Sequence, residues 1–192
     1  MGKSISKVGE KSVYEGKLFT VLHQDFEFEN NGKKGSFTAE VAVRAPGVRI
    51  MVVRNGKILL SKEYRSELER FDYRLPGGKV FDSLSEFLVV REHPDDLLKA
   101  IEVTVKREAH EEVGILPHTW SLLQKSVCGA SVEWDLYYFI IEDFEEVERD
   151  EVDSEIIYPE WKTFDEVKKM CLDGSIDENR TVAVLLKYLL CR

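Results

Sequence analysis

Residues 97–115 constrain the fold more tightly than any other stretch of this chain. From Leu97 the apolar residues Leu97, Leu98, Ile101, Val105 and Ala109 recur at helical spacing. The run closes on Arg107-Glu108-Ala109-His110-Glu111-Glu112-Val113-Gly114-Ile115. Glu108, Glu111 and Glu112 fall on the side of that helix away from the apolar stripe. Such a helix must bury one side against a sheet and keep the other for charge. Like-charged neighbours on a helix repel by a few tenths of a kcal/mol per pair, and a divalent cation removes that cost. Mg²⁺ suits the arrangement because it prefers a few carboxylates completed by waters and substrate phosphates. Gly114 is placed to end the helix in a left-handed conformation. Taken alone, the cluster also reads as a solvated acidic turn.

The 192-residue chain is long enough for one domain, or one domain with a small appendage. Its 43% hydrophobic and 33% charged residues suit a globular protein with a buried core. A net charge of −9 argues against a nucleic-acid duplex as partner, since phosphate recognition usually brings a basic patch. An acidic protein handling a phosphate-rich small molecule needs cations in between, which agrees with the acidic helix. Cys128, Cys171 and Cys191 are widely spaced and form no C-x-x-C pair, so they read as reduced thiols. No apolar run marks a signal peptide, and none approaches 18 residues. The expectation is a cytoplasmic protein without a membrane span.

Along the chain, residues 1–12 are polar and expected to be loosely held. Val13–Glu29 alternates in the β manner and ends at the turn Asn30-Asn31-Gly32. Ser36–Arg44 follows, then Ala45-Pro46-Gly47. Val48–Arg54, Asn55-Gly56 and Lys57–Glu63 make the clearest hairpin, because Asn-Gly favours the tight turn that matches strand twist. Leu75-Pro76-Gly77-Gly78 is a flexible turn ahead of the acidic helix. The stretch from Ser83 to about Lys99 is expected to hold a short helix, a break before Pro94, and Asp95 or Asp96 as N-cap of the long helix. Trp120–Val127 and Glu133–Glu142 read as strands, the second with Trp134, Leu136, Tyr138 and Ile140 on one face. The acidic run Glu142–Glu155 reads as a solvated loop. Phe164–Leu172 is expected as a helix stopped at Asp173-Gly174, with Asn179 or Thr181 capping a last helix that runs to Leu190.

Arg-Glu-hydrophobic-x-Glu-Glu-x-Gly-hydrophobic, as it stands at residues 107–115, resembles the second half of the Nudix box. That box is the signature of hydrolases acting on nucleoside diphosphates linked to another moiety. Glu63-Tyr64-Arg65, Leu75-Pro76-Gly77-Gly78 and the tail from Phe164 to Ala183 narrow the resemblance to the ADP-ribose pyrophosphatase branch, over about residues 13–190. One departure is plain. The family box sets its glycine 14 residues before the arginine, whereas Gly78 lies 29 before Arg107. About fifteen residues are inserted, and neither Lys99 nor Leu84 supplies the glutamate usual between the two. That glutamate ordinarily braces the arginine.

The resemblance implies an α/β protein: a Nudix α/β/α sandwich with a mixed sheet and an N-terminal antiparallel β extension. It implies residues 1–45 as that extension, a candidate dimerisation element, and residues 46–192 as the hydrolase domain with its insert at about 83–98. Glu108, Glu111, Glu112 and the Gly77 carbonyl would be ligands of Mg²⁺, with Mn²⁺ as the alternative. Arg107 would orient the glutamates, unless it forms a plain structural salt bridge. The catalytic base of the branch maps to Glu155, with Glu151 and Asp153 as alternatives. Arg65 and Arg44 are candidate substrate contacts, Arg65 through its bidentate fork or, alternatively, as part of a structural ion pair. The implied substrate is ADP-ribose, cleaved to AMP and ribose 5-phosphate. Another nucleotide sugar, a dinucleoside polyphosphate or an oxidised nucleotide is the enzymatic alternative, and a non-catalytic nucleotide sensor is the other class. A homodimer is expected from the branch.

Overall fold

A computed structural model describes residues 3–149 and 156–191. The chain divides into two compact units. The first comprises the chain up to Pro46 together with Phe81–Pro94 and Val127–Asp135. Its sheet has the order β1-β2-β3-β8, from Lys3–Glu15, Phe19–Asn30, Lys33–Arg44 and Val132–Glu133. The β2–β3 hairpin turns through Asn31 (φ 52°) and Gly32 (φ 79°), within the turn expected at Asn30-Asn31-Gly32. Residues 1–12 are expected to be loosely held, but from Lys3 onward β1 pairs with β2 along its whole length, with register shifts at Lys7/Gly9 and Ser12/Tyr14. Its apolar side chains Ile5 and Val8 stay exposed, so the strand is held by its ladder rather than by burial. In the same unit, α1 (Leu84–Val90) is capped by Ser83, and Phe87 packs on Phe81 at 5.7 Å between ring centroids. Arg91 then pairs with Glu10 at 2.7 Å, which ties this inserted stretch to the N-terminal sheet.

The second unit carries the long helix. Its sheet has the order β10-β5-β4-β9-β7, with β6 also paired to β5. These strands are Gly47–Arg54 (β4), Lys57–Arg65 (β5), Arg70–Arg74 (β6), Ile115–Ser126 (β7), Leu136–Glu146 (β9) and Ile157–Thr163 (β10). β4 and β9 run parallel, and each neighbour is antiparallel. Val48, Ile50 and Val52 alternate toward one face, where Phe139 and Ile141 join Ile101, Val105, Ala109 and Val113 of α2 (Pro94–Val113) in one buried cluster. The opposite face of β9 meets α4 (Asn179–Leu190), where Tyr138 and Thr181 hydrogen bond at 3.2 Å. α3 (Phe164–Asp173) packs on α4, β5 and β10. The unit is therefore the α/β/α sandwich expected, buried on both sheet faces.

Several local expectations are corrected. α2 starts with Pro94 as its first residue, where the missing N–H costs nothing, so Asp95 and Asp96 lie inside the first turn rather than at the cap. Glu178, not Asn179 or Thr181, occupies the N-cap of α4. Glu142–Glu146 extends β9 instead of opening a loop; Phe144 is buried there while the four acids face solvent. Trp134 falls between β8 and β9, off the strand face assigned to it. β6 and β10 were not foreseen. The α3 reading holds: Thr163 and Glu166 form a capping box, and Gly174 ends the helix at φ 80°. Among the described residues no helix is long and apolar enough to cross a membrane.

Candidate active site

The site begins with a splayed pair of strands. β4 and β5 pair only from Val52–Arg54 to Leu59–Lys57, after which β5 pairs with β6. The edge of β4 thus exposed is taken by the loop after β6. Ile50 N–H donates to Pro76 O at 2.8 Å, Val48 N–H donates to Gly78 O at 2.9 Å, and Lys79 bridges to Gly47. Pro76 fits because only its carbonyl is used. The two glycines answer to different constraints. Gly77 sits at φ +148°, and a Cβ there would lie 2.2 Å from Val48 O. A Cβ on Gly78 would lie 2.2 Å from Glu108 Oε1, so the helix carboxylate rests directly on loop backbone.

On α2, Arg107 reaches both neighbouring acids, Glu108 at 2.7 Å and Glu111 at 3.0 Å, and donates to Lys79 O at 3.3 Å. Glu108 is buried. Glu112 points elsewhere: its Oε2 accepts from Gly77 N–H at 2.9 Å and from Ser61 Oγ at 3.5 Å. Burial pushes the Glu112 carboxyl up to about 8. The Gly77 N–H and Arg49 oppose that rise, while the charges of Glu108 and Glu63 add to it. A carboxylate held among other carboxylates in this way is electrostatically short of positive charge.

The donor chemistry fits a hard divalent cation: carboxylate oxygens on one helix face, beside backbone that approaches them closely. Among the described residues, however, no three Asp, Glu, His or Cys side chains already converge as a metal cage. Arg107 engages Glu108 and Glu111, and Glu112 is turned to the loop. Hard divalent cations can be held by one or two carboxylates, with water and substrate phosphate completing the shell.

The other anticipated residues are distributed as follows. Gly77 meets the cluster through its N–H. Arg65 is engaged by Glu63 at 2.8 Å and by Glu67 at 2.5 Å. Arg44 belongs to the first unit, with its guanidinium 4.4 Å above the Trp134 ring. Glu155, Glu151 and Asp153 lie outside the described residues. Sequence reasoning overlooked Ser61, Glu63, Arg49 and Glu178. Two of these carried a signal: Ser61 breaks the apolar run Ile58-Leu59-Leu60, and Arg49 interrupts the run Val48–Val53. A polar residue placed inside a strand that is buried on both faces needs a partner.

No curated protein is significantly similar to the chain in sequence. Among solved structures, one described as the crystal structure of an ADP compounds hydrolase superposes with a TM-score of 0.66. It covers 97% of this chain and 91% of its own at 21% identity, a likeness of fold. The family model for the Nudix domain matches residues 43–183, which include the splayed strands, the glycine loop and the acidic helix. The chain belongs to the Nudix family.

Proposed function

We propose that the protein is a cation-dependent hydrolase of the pyrophosphate bond in a nucleoside diphosphate linked to another moiety, ADP-ribose first among them. The observation that carries this reading is the placement of Glu108 and Glu112 against the Gly77-Gly78 backbone, with Glu111 beside them. The likeness to an ADP compounds hydrolase supports the substrate class. In the reaction, water attacks one phosphorus, the bridging P–O bond breaks, and ADP-ribose yields AMP and ribose 5-phosphate. Mg²⁺ is the proposed cation, with Mn²⁺ the alternative; when bound it neutralises the phosphates and lowers the pKa of coordinated water.

The chain's own groups divide the remaining work. Glu108, Glu111, Glu112 and the Gly77 carbonyl would hold the cation, and Gly77 N–H fixes the direction of Glu112. Arg107 spaces Glu108 from Glu111. Glu155 is the proposed general base, with Glu151 and Asp153 as alternatives. Arg65 and Arg44 are proposed substrate contacts; Arg65 would reach phosphate only by leaving Glu63 or Glu67. We assign residues 1–45 to the extension and 46–192, with the insert at 83–98, to the hydrolase domain. We also place the enzyme in the cytoplasm as a homodimer. The exposed Ile5, Val8, Tyr14, Phe19 and Phe37 of the N-terminal sheet support the dimer.

The second reading is a nucleotide sensor, favoured by the hold of Arg107 on two of the three glutamates. A substrate panel separates the two: ADP-ribose, nucleotide sugars, NADH, diadenosine polyphosphates and nucleoside triphosphates, each with and without Mg²⁺. Turnover of one class, lost in Glu112→Gln, supports the hydrolase. Tight binding without any turnover supports the sensor.

A further inference from the structure

β4 carries one arginine inside its buried run, and its partners form a continuous path. Arg49 and Glu178 are both largely buried, with side chains 12% and 14% exposed, and pair at 3.2 Å. Glu178 sits at the N-cap of α4 and also accepts from Thr181, whose hydroxyl meets Tyr138. Thr181 and Tyr138 are fully buried, so this end of the path is fixed. At the other end, Arg49 Nη1 donates to Val48 O at 3.0 Å. Val48 O is the atom against which Gly77 is packed so closely that no Cβ fits. Val48 N–H in turn holds Gly78 O. Gly77 N–H is the donor to Glu112.

Every link joins groups in contact: α4 to Glu178, Glu178 to Arg49, Arg49 to the Val48 carbonyl, that carbonyl to Gly77, and Gly77 to Glu112. We propose that Arg49, clamped by Glu178, is a positioning residue of the hydrolytic site. It pins the Val48 carbonyl, and through it the Gly77 N–H, so that Glu112 is presented to a bound cation. The inference rests on the hydrolase reading above. The planar fork of arginine is what the geometry requires, since one guanidinium spans a carboxylate and a backbone carbonyl.

An ordinary structural ion pair would lower thermal stability when broken and leave the chemistry alone. Three variants separate the roles: Arg49→Met, Arg49→Lys and Glu178→Gln. Each is measured for kcat and KM on ADP-ribose with Mg²⁺, for Mn²⁺ affinity by calorimetry, and for melting temperature. Partners that orient metal ligands typically alter affinity or activity by about 10- to 100-fold. In Arg49→Met we expect kcat and Mn²⁺ affinity to fall by about that factor, with KM near wild type. Arg49→Lys restores charge but not the fork, so Mn²⁺ affinity should recover in part while kcat stays low. Glu178→Gln should lower both by a smaller factor.

Wild-type kcat and Mn²⁺ affinity in Arg49→Met and Arg49→Lys, with only the melting temperature reduced, would overturn the proposal. Should Arg49→Met not fold, Arg49→Lys and Glu178→Gln decide by the same two readouts. If the wild-type protein turns over no substrate, the hydrolase reading fails by itself, and Mn²⁺ affinity across the three variants still decides the role of Arg49.

Discussion

Glu112 should be a residue that the cation-free protein is more stable without. Its folded pKa is raised from the ordinary 4.5 to about 8, first by burial. The folded state therefore holds a proton that the unfolded state gives up at lower pH. Stability from this group is complete below about pH 4.5, falls steadily as pH rises, and is fully lost above about pH 8. The interval 8 − 4.5 multiplied by about 1.4 kcal/mol per unit sets a ceiling of about 5 kcal/mol. Glu112 keeps partial access to solvent, so screening reduces this to about 1–3 kcal/mol.

Glu112→Gln removes the charge and keeps an acceptor for Gly77 N–H. Thermal unfolding in EDTA should show the variant level with wild type near pH 5 and more stable at pH 9. A protein of this size shifts about 2–4 °C per kcal/mol, so a gain of about 2–12 °C is expected at pH 9. Added Mg²⁺ should close or invert the gap, because the cation binds the wild type more tightly than a variant lacking one of its three carboxylates. A difference that is flat with pH, or a wild type that is the more stable at pH 9 in EDTA, would refute the electrostatic reading of the site.

Three further outcomes follow from the loop and its neighbours. Gly78→Ala puts a Cβ 2.2 Å from Glu108 Oε1; the carboxylate must move, so turnover should fall at least about tenfold with a modest change in melting temperature. Gly77→Ala meets backbone instead, Val48 O at 2.2 Å, at a φ unfavourable to alanine. It should lower stability by about 2 kcal/mol or more in denaturant unfolding. Arg65→Ala breaks partly exposed pairs with Glu63 and Glu67, so its stability cost should stay below about 1 kcal/mol. A raised KM in that variant would identify Arg65 as a substrate contact, and an unchanged KM would leave it structural.

What could be read from the sequence was whatever repeats locally. The Asn55-Gly56 hairpin, the helix stop at Asp173-Gly174 and the apolar stripe of α2 each follow from short-range chemistry, and each is present. β1 was missed because its stabilisation is a ladder to β2 rather than a buried face: Ile5 and Val8 remain exposed. β10 was missed because it is an edge strand containing Pro159, with only Ile157 of its residues buried. The acidic triad of α2 was legible, but its setting was not. That Gly77 offers its N–H to Glu112 depends on the splay of β4 from β5, a long-range event with no local signature. The same holds for Glu178, which looks like one more acid in a loop until Arg49 of β4 meets it, 129 positions away in the chain.

The measurement that tests the central claim most directly is product analysis in ¹⁸O-labelled water. The protein is incubated with ADP-ribose and Mg²⁺, and the products are weighed by mass spectrometry. The account expects equal amounts of AMP and ribose 5-phosphate, with a single ¹⁸O in only one of them. Such labelling shows water attack on one phosphorus and cleavage of the bridging bond. Unaltered ADP-ribose recovered from a protein that binds it tightly would contradict the account and leave a sensor in its place.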